Sequence, residues 1–276
     1  MALSASNSVL AIGLTCAAGF ATLLGFLVAL IPKMNDARLF AGCLALSAGV
    51  MVMVSFVEIL PEATELFTEA GYTENHAFMI NVATFFCGCL LCLSLDMIAQ
   101  FIVNRRQRSA KELEHYTSED TQSSALLGTG LMAAIALTLH NLPEGIVTFL
   151  GTLEDADVGI SLALAIGVHN IPEGVAVAMP ILKATGSKTK AFLWTLLASV
   201  AQPIGGILAW LALANMLTPA SIAVMMSVTA GIMVYVGVVK LQKEAISRDP
   251  SDTWSGYGFI LGMAVMALSL VLFKIR

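Results

Sequence analysis

Apolar residues fall into eight long runs along this chain, near residues 8–31, 38–60, 78–103, 125–150, 158–182, 190–214, 219–240 and 256–273. A hydrocarbon core about 30 Å thick is crossed by roughly 20 apolar residues in an α-helix, and each run approaches or exceeds that length. A helix satisfies its own backbone groups where no water is available. The pattern therefore predicts an all-α membrane protein of eight transmembrane helices. The first run is preceded by no basic segment and is long enough to span, so it is expected to be a retained helix. Short connections join all the runs except the third and fourth. Between those two, the hydrophilic stretch 104–124, with Arg105, Arg106, Arg108 and Lys111, is expected to be a mobile loop. One membrane-embedded domain over residues 1–276 follows.

Composition sharpens this picture. Apolar residues make up 58% of the chain and charged residues 12%, against about 25% charged in soluble domains, which excludes a water-soluble domain. The formal net charge is -5 and the bases lie in short interhelical groups, so no basic face exists to track nucleic acid. Twelve of the fourteen Lys and Arg, from Lys33 to Arg248, fall in alternate connections on one side, and only Lys274 and Arg276 fall on the other. Because cytoplasmic loops hold the excess of bases, both termini are expected to be extracellular. The outer connections then hold Glu65, Glu69, Glu74, Glu154, Asp155 and Asp157. They form either an acidic surface that concentrates cations or ordinary solvated loops. Cys16, Cys43, Cys87, Cys89 and Cys92 all lie within apolar runs, where no extracellular disulfide framework is expected. Small residues at helix interfaces account for them, with a soft metal site at Cys87, Cys89 and Cys92 as the alternative.

Chemistry is concentrated in a repeated motif. The fourth run holds His140-Asn141-Leu142-Pro143-Glu144-Gly145 and the fifth His169-Asn170-Ile171-Pro172-Glu173-Gly174. His and Glu at i and i+4 share a helix face, so two such helices supply the four N and O ligands that a Zn²⁺ ion prefers. Each proline removes a backbone donor and is expected to kink its helix on the polar side, and each glycine permits close helix approach. Antiparallel helices carrying the same motif at mid-membrane point to an in-plane two-fold axis. An ionised side chain at a helix centre costs about 2.5 to 3.5 kcal/mol on insertion scales, which argues against an idle motif. Glu58 and Glu62, near the outer end of the second helix, are a possible point of access for cations, or pair within the bundle. Asp96, in the third, lines an exit or caps polar contacts.

On these residues the chain resembles the ZIP family of divalent metal transporters, in its bacterial zinc-uptake, ZupT-type branch. The resemblance extends over nearly the whole chain, including Ser55-Phe56-Val57-Glu58-Ile59-Leu60-Pro61-Glu62-Ala63 and Ala184-Thr185-Gly186-Ser187-Lys188. It implies a ZIP-type bundle of eight helices with extracellular termini, a midplane metal site, often two adjacent metals, and a homodimer. It further implies that His140, Glu144, His169 and Glu173 hold one metal, with Asn141 and Asn170 leaning toward a second. Two positions depart from the family pattern: Gln202 stands where a Glu is usual in helix six, and Val239-Lys240 where an acidic pair often ends helix seven. Gln202 offers a carbonyl oxygen but no charge, which points to a single tightly held ion. The family's His-rich loop is reduced here to His115.

The expected function is uptake of divalent cations, Zn²⁺ first, with Fe²⁺, Mn²⁺, Co²⁺ and Cd²⁺ suited to the same ligands. No coupling ion is required, since a membrane potential supplies about 2.3 kcal/mol per charge per 100 mV, and twice that for a divalent ion. The alternatives are a metal sensor that binds without conducting, and an intramembrane metallohydrolase. The latter lacks a His-Glu-x-x-His arrangement and a spare general base. No enzymatic activity and no cofactor are expected. The expected location is the cell membrane, as a multi-pass protein, which in a bacterium is the inner membrane.

Overall fold

A computed structural model describes residues 5–111, 118–154, 156–213, 218–249, 251 and 253–274. Among these residues there are helices and turns and no strand, and eight helices are long and apolar enough to cross a membrane. They are α1 Ala5–Ala29, α2 Ala37–Glu69, α3 Glu74–Lys111, α4 Ser118–Glu154, α5 Ala156–Thr185, α6 Lys188–Leu208 with its continuation Ala209–Leu213, α7 Pro219–Arg248 and α8 Thr253–Lys274.

Several helices outrun the apolar segments that announce them. Instead of ending near residue 60, α2 continues to Glu69, because Ala63 and Phe67 are buried along one face while Glu65 and Glu69 stay outside. The stretch 104–124, expected as a loop, is helical up to Lys111 and again from Ser118. Its Arg, Lys, Gln and Glu residues favour helix without adding hydropathy, so an apolar scan cannot see it. Residues 112–117, including His115, lie outside the described residues, as do Asp155 and Arg276.

Local chemistry sets the ends. Asp36 caps α2, accepting from the backbone N–H groups of Arg38 and Leu39 at 3.0 Å each, which satisfies donors the first turn leaves open. Thr218 and Ser221 form a reciprocal capping box ahead of Pro219 at the start of α7. Between α5 and α6 only Gly186 and Ser187 intervene. Gly186 has φ +63, a left-handed conformation that glycine adopts without strain. After α7, Asp249 accepts from the Ser251 hydroxyl and from the N–H groups of Ser255 and Trp254. Those bonds hold its carboxyl below the usual range.

Helix α4 runs on through Pro143, and α5 through Pro172. Among the described residues, π turns occur at Ser55–Ile59 of α2, Ala209–Leu213 of α6 and Val236–Gln242 of α7.

Glycines lock the helices together in matched pairs. Where a Cβ would stand on Gly145 of α4 lies the carbonyl oxygen of Gln202 of α6, and Gly205 of α6 meets Leu142 of α4 in the same way. The motif of α5 repeats this against α1: Gly174 meets the Thr22 carbonyl and Gly25 meets that of Ile171. A second set follows suit. Gly49 of α2 and Gly262 of α8 meet Phe259 and Leu46, as Gly231 of α7 and Gly88 of α3 meet Phe85 and Val228. Equal spacings therefore relate α1 to α6, α2 to α7, α3 to α8 and α4 to α5. Successive spans alternate in direction, so each helix opposes its counterpart, as an axis in the membrane plane requires.

This packing predicts a position-specific cost. Gly174→Ala places its methyl on the Thr22 backbone, while Gly13→Ala meets nothing within 4 Å. Overpacking costs about 1–3 kcal/mol. The melting temperature of the purified protein in detergent is expected to fall by several degrees for Gly174→Ala and to hold for Gly13→Ala.

Candidate metal centre

The two motifs meet where α4 crosses α5. Nε2 of His140 and Nε2 of His169 both lie 2.9 Å from Oε1 of Glu144, and His140 Nε2 lies 3.6 Å from Oε1 of Glu173. His140, His169 and Glu173 each present a ligand atom, all within 4.8 Å of one another. Ligands held tetrahedrally about 2.0–2.1 Å from Zn²⁺ stand roughly 3.3 Å apart. The observed separations bracket that value, so small side-chain rotations suffice to seat an ion.

Burial raises the stakes. His140, His169 and Glu173 are at most 2% exposed, and neither oxygen of Glu173 has a hydrogen-bond partner within the protein. A buried carboxylate without donors is costly, and a divalent cation is a partner that removes the cost. Glu144 shares Oε1 between both imidazoles while its Oε2 has no hydrogen-bond partner.

A second layer lies beside these four. Asn141 donates its Nδ2 to the carbonyl of Ala198 on α6 at 2.9 Å, and Asn170 donates its own to the carbonyl of Ala18 on α1 and to Oε1 of Gln202, both at 2.8 Å. The amide nitrogens are thus occupied by neighbouring helices, and Oδ1 of each Asn has no hydrogen-bond partner. Gln202 is fully buried and its Oε1 accepts from Asn170.

Glu58 and Glu62 join His140, Glu144 and His169 around one cavity. The α2 carboxylates thus line the same cavity as the motif. Glu58 sits in the π turn Ser55–Ile59, and such turns recur at functional sites. Leu162 and Ile166 of α5 and Met226 and Thr229 of α7 also line it. Asp96 lies elsewhere: it forms an ion pair with Lys240 of α7 and accepts from the Tyr235 hydroxyl at 3.0 Å. None of the five cysteines forms a disulfide among the described residues.

Two supporting residues escaped the sequence reading. Asn81 of α3 donates to the Leu60 carbonyl and the Thr64 hydroxyl at 2.6 Å each and accepts from Ser227 of α7, fixing α2 beside Pro61. Ser47 of α2 donates to the Pro172 carbonyl at 2.8 Å. An Asn inside an apolar run was a usable signal for the first; Ser47 left none.

The chain matches the family model described as "ZIP Zinc transporter" over residues 5–270. It is 41% identical over 270 residues to "Zinc transporter ZupT" of Corynebacterium efficiens, covering 97% of this chain and 98% of that one. It is 38% identical over 260 residues to the protein of that name in Streptococcus mutans, covering 94% and 96% of the two chains. In Campylobacter jejuni the figures are 38% over 275 residues, with 93% and 94% covered. Matched along nearly its whole length by that model, this chain of eight apolar helices belongs to the ZIP zinc transporter family.

Proposed function

We propose that the chain carries Zn²⁺ inward across the cell membrane as a single transporter domain, the ion passing through a site made by His140, Glu144, His169 and Glu173. The observation that carries the reading is the convergence of both repeated motifs on one ion-sized locus beneath a carboxylate-lined cavity. Glu58 and Glu62 gather cations in the cavity, and Asn141, Asn170 and Gln202 form the polar layer beyond. Membership of a transporter family sets aside the hydrolase. The test is radiolabelled Zn²⁺ uptake by reconstituted vesicles, set beside equilibrium binding. Uptake that saturates over the binding range is expected, and binding with no uptake would turn the reading into the sensor.

Direction follows from the bases. The cavity residues Glu62, Val147, Leu162 and Met226 lie toward the helix ends joined through residues 70–73, Asp155 and 214–218. Those ends are opposite the twelve basic residues, hence outside by the positive-inside rule. In a background without cysteine, Asp157→Cys is expected to react with an impermeant maleimide on intact cells, and Lys188→Cys only after permeabilisation. The reverse pattern overturns the orientation. The family resemblance also supports a homodimer, which mass photometry of the purified protein checks. Fe²⁺, Mn²⁺, Co²⁺ and Cd²⁺ fit the same mixed ligands, and competition against labelled Zn²⁺ ranks them.

A further inference from the structure

The two-fold relation lets the cavity be mapped onto the opposite half of the molecule. Its lining residues Val54, Ile59, Leu162, Ile166 and Met226 have as counterparts Val236, Leu241, Ala133, Leu137 and Leu44. Every one of these counterparts is at 0% exposure. At these apolar positions the acidic side of the metal centre is open, where they line the cavity, and the equivalent set on the other side is packed closed. An ion that enters by one set and leaves by the other must part the second.

One pair of positions breaks the relation in charge. The counterpart of Glu58 is Lys240, and both stand in π turns at equivalent places, Ser55–Ile59 and Val236–Gln242. On the open side that backbone position faces the cavity. On the closed side the Lys240 side chain is turned onto α3, where Asp96 pairs with its ammonium and is itself held by the Tyr235 hydroxyl. The counterpart of Asp96 on α8 is Leu270, so this bond between α7 and α3 has no equivalent between α2 and α8.

We propose that Asp96 is a positioning residue that keeps the Lys240 ammonium out of the path by which zinc leaves. A lysine at the place of Glu58 would otherwise set a positive charge in the way of a departing divalent cation. Bound to Asp96, it is neutralised and withdrawn toward α3. This rests on the transport reading above.

The test is zinc uptake by vesicles holding the wild type, Asp96→Asn, Lys240→Met and the double variant. Rates are normalised to zinc bound per chain, which corrects for protein that fails to fold. Asp96→Asn is expected to slow maximal uptake at least fivefold with the half-saturating zinc concentration unchanged, because the access side is untouched. Lys240→Met and the double variant are expected to run within twofold of wild type, since neither leaves a loose ammonium. The proposal is overturned if Asp96→Asn transports at the wild-type rate, if Lys240→Met is as slow as Asp96→Asn, or if removing Lys240 fails to rescue Asp96→Asn. A wild type that takes up no zinc would instead sink the transport reading, so the two failures are distinct.

Discussion

Glu144→Ala is expected to lower zinc uptake about a hundredfold or more while the protein is still made and still elutes as a folded species. Oε1 of Glu144 is the one carboxylate oxygen within 2.9 Å of both imidazoles, so its loss removes a direct ligand and half the negative charge of the motif. Changes that merely disturb residues behind the ligands cost roughly 10–100-fold in metal affinity, and loss of a ligand itself exceeds that. Glu173→Ala should fall in the same range, because its two buried oxygens have no hydrogen-bond partner in the protein. Glu58→Gln serves as the contrast. Its carboxylate lines the cavity without lying between the imidazoles, so the expected effect is a several-fold rise in half-saturating zinc with maximal rate largely kept. Uptake of labelled zinc against zinc concentration reads all three, and near-wild-type uptake by Glu144→Ala would falsify the site.

What the sequence made legible depends on what lipid penalises. Eight apolar runs are visible because a span must be long and apolar, and His140, Glu144, His169 and Glu173 stand out because ionisable groups in such runs are costly. Beyond the hydrocarbon the penalty vanishes, and so does the signal. The last turns of α2 and the flanks of residues 112–117 are helical with no apolar run to mark them.

Symmetry was legible only between α4 and α5, where it is written in chemistry. Between α1 and α6 or α2 and α7 it survives as single glycines such as Gly25 and Gly205, or Gly49 and Gly231, which record close packing and nothing else. The joining of Glu58 and Glu62 to the motif's cavity was also beyond reach. It depends on α2 packing against α5 and facing α4 across the cavity, an arrangement of distant segments that no local pattern encodes.

Gln202→Glu is expected to raise tightly bound zinc from about one ion per chain to about two. Near the Asn layer, among the described residues, the motif's carboxylates Glu144 and Glu173 supply a charge that matches one divalent ion. A second ion some 4 Å away meets a repulsion of about 16 kcal/mol, four times the unit-charge value of about 4 at an effective dielectric of 20. Bridging ligands and water screen this, and a third carboxylate offsets much of the rest. The substitution is sterically conservative: Asn170 Nδ2 already donates to Oε1 of Gln202, and the Nε2 that becomes an oxygen has no partner to lose. The added charge is fully buried and costly without a cation, so the variant should melt lower without zinc than the wild type and gain more on adding it. Glu58 and Glu62 line the cavity on the other side of the imidazoles, and ions held there would confuse the count. Metal analysis is therefore made on Glu58→Gln/Glu62→Gln protein, with and without Gln202→Glu. One zinc rising to two supports the charge argument, whereas two zinc ions already present with Gln202 intact would show that the neutral amide does not limit occupancy.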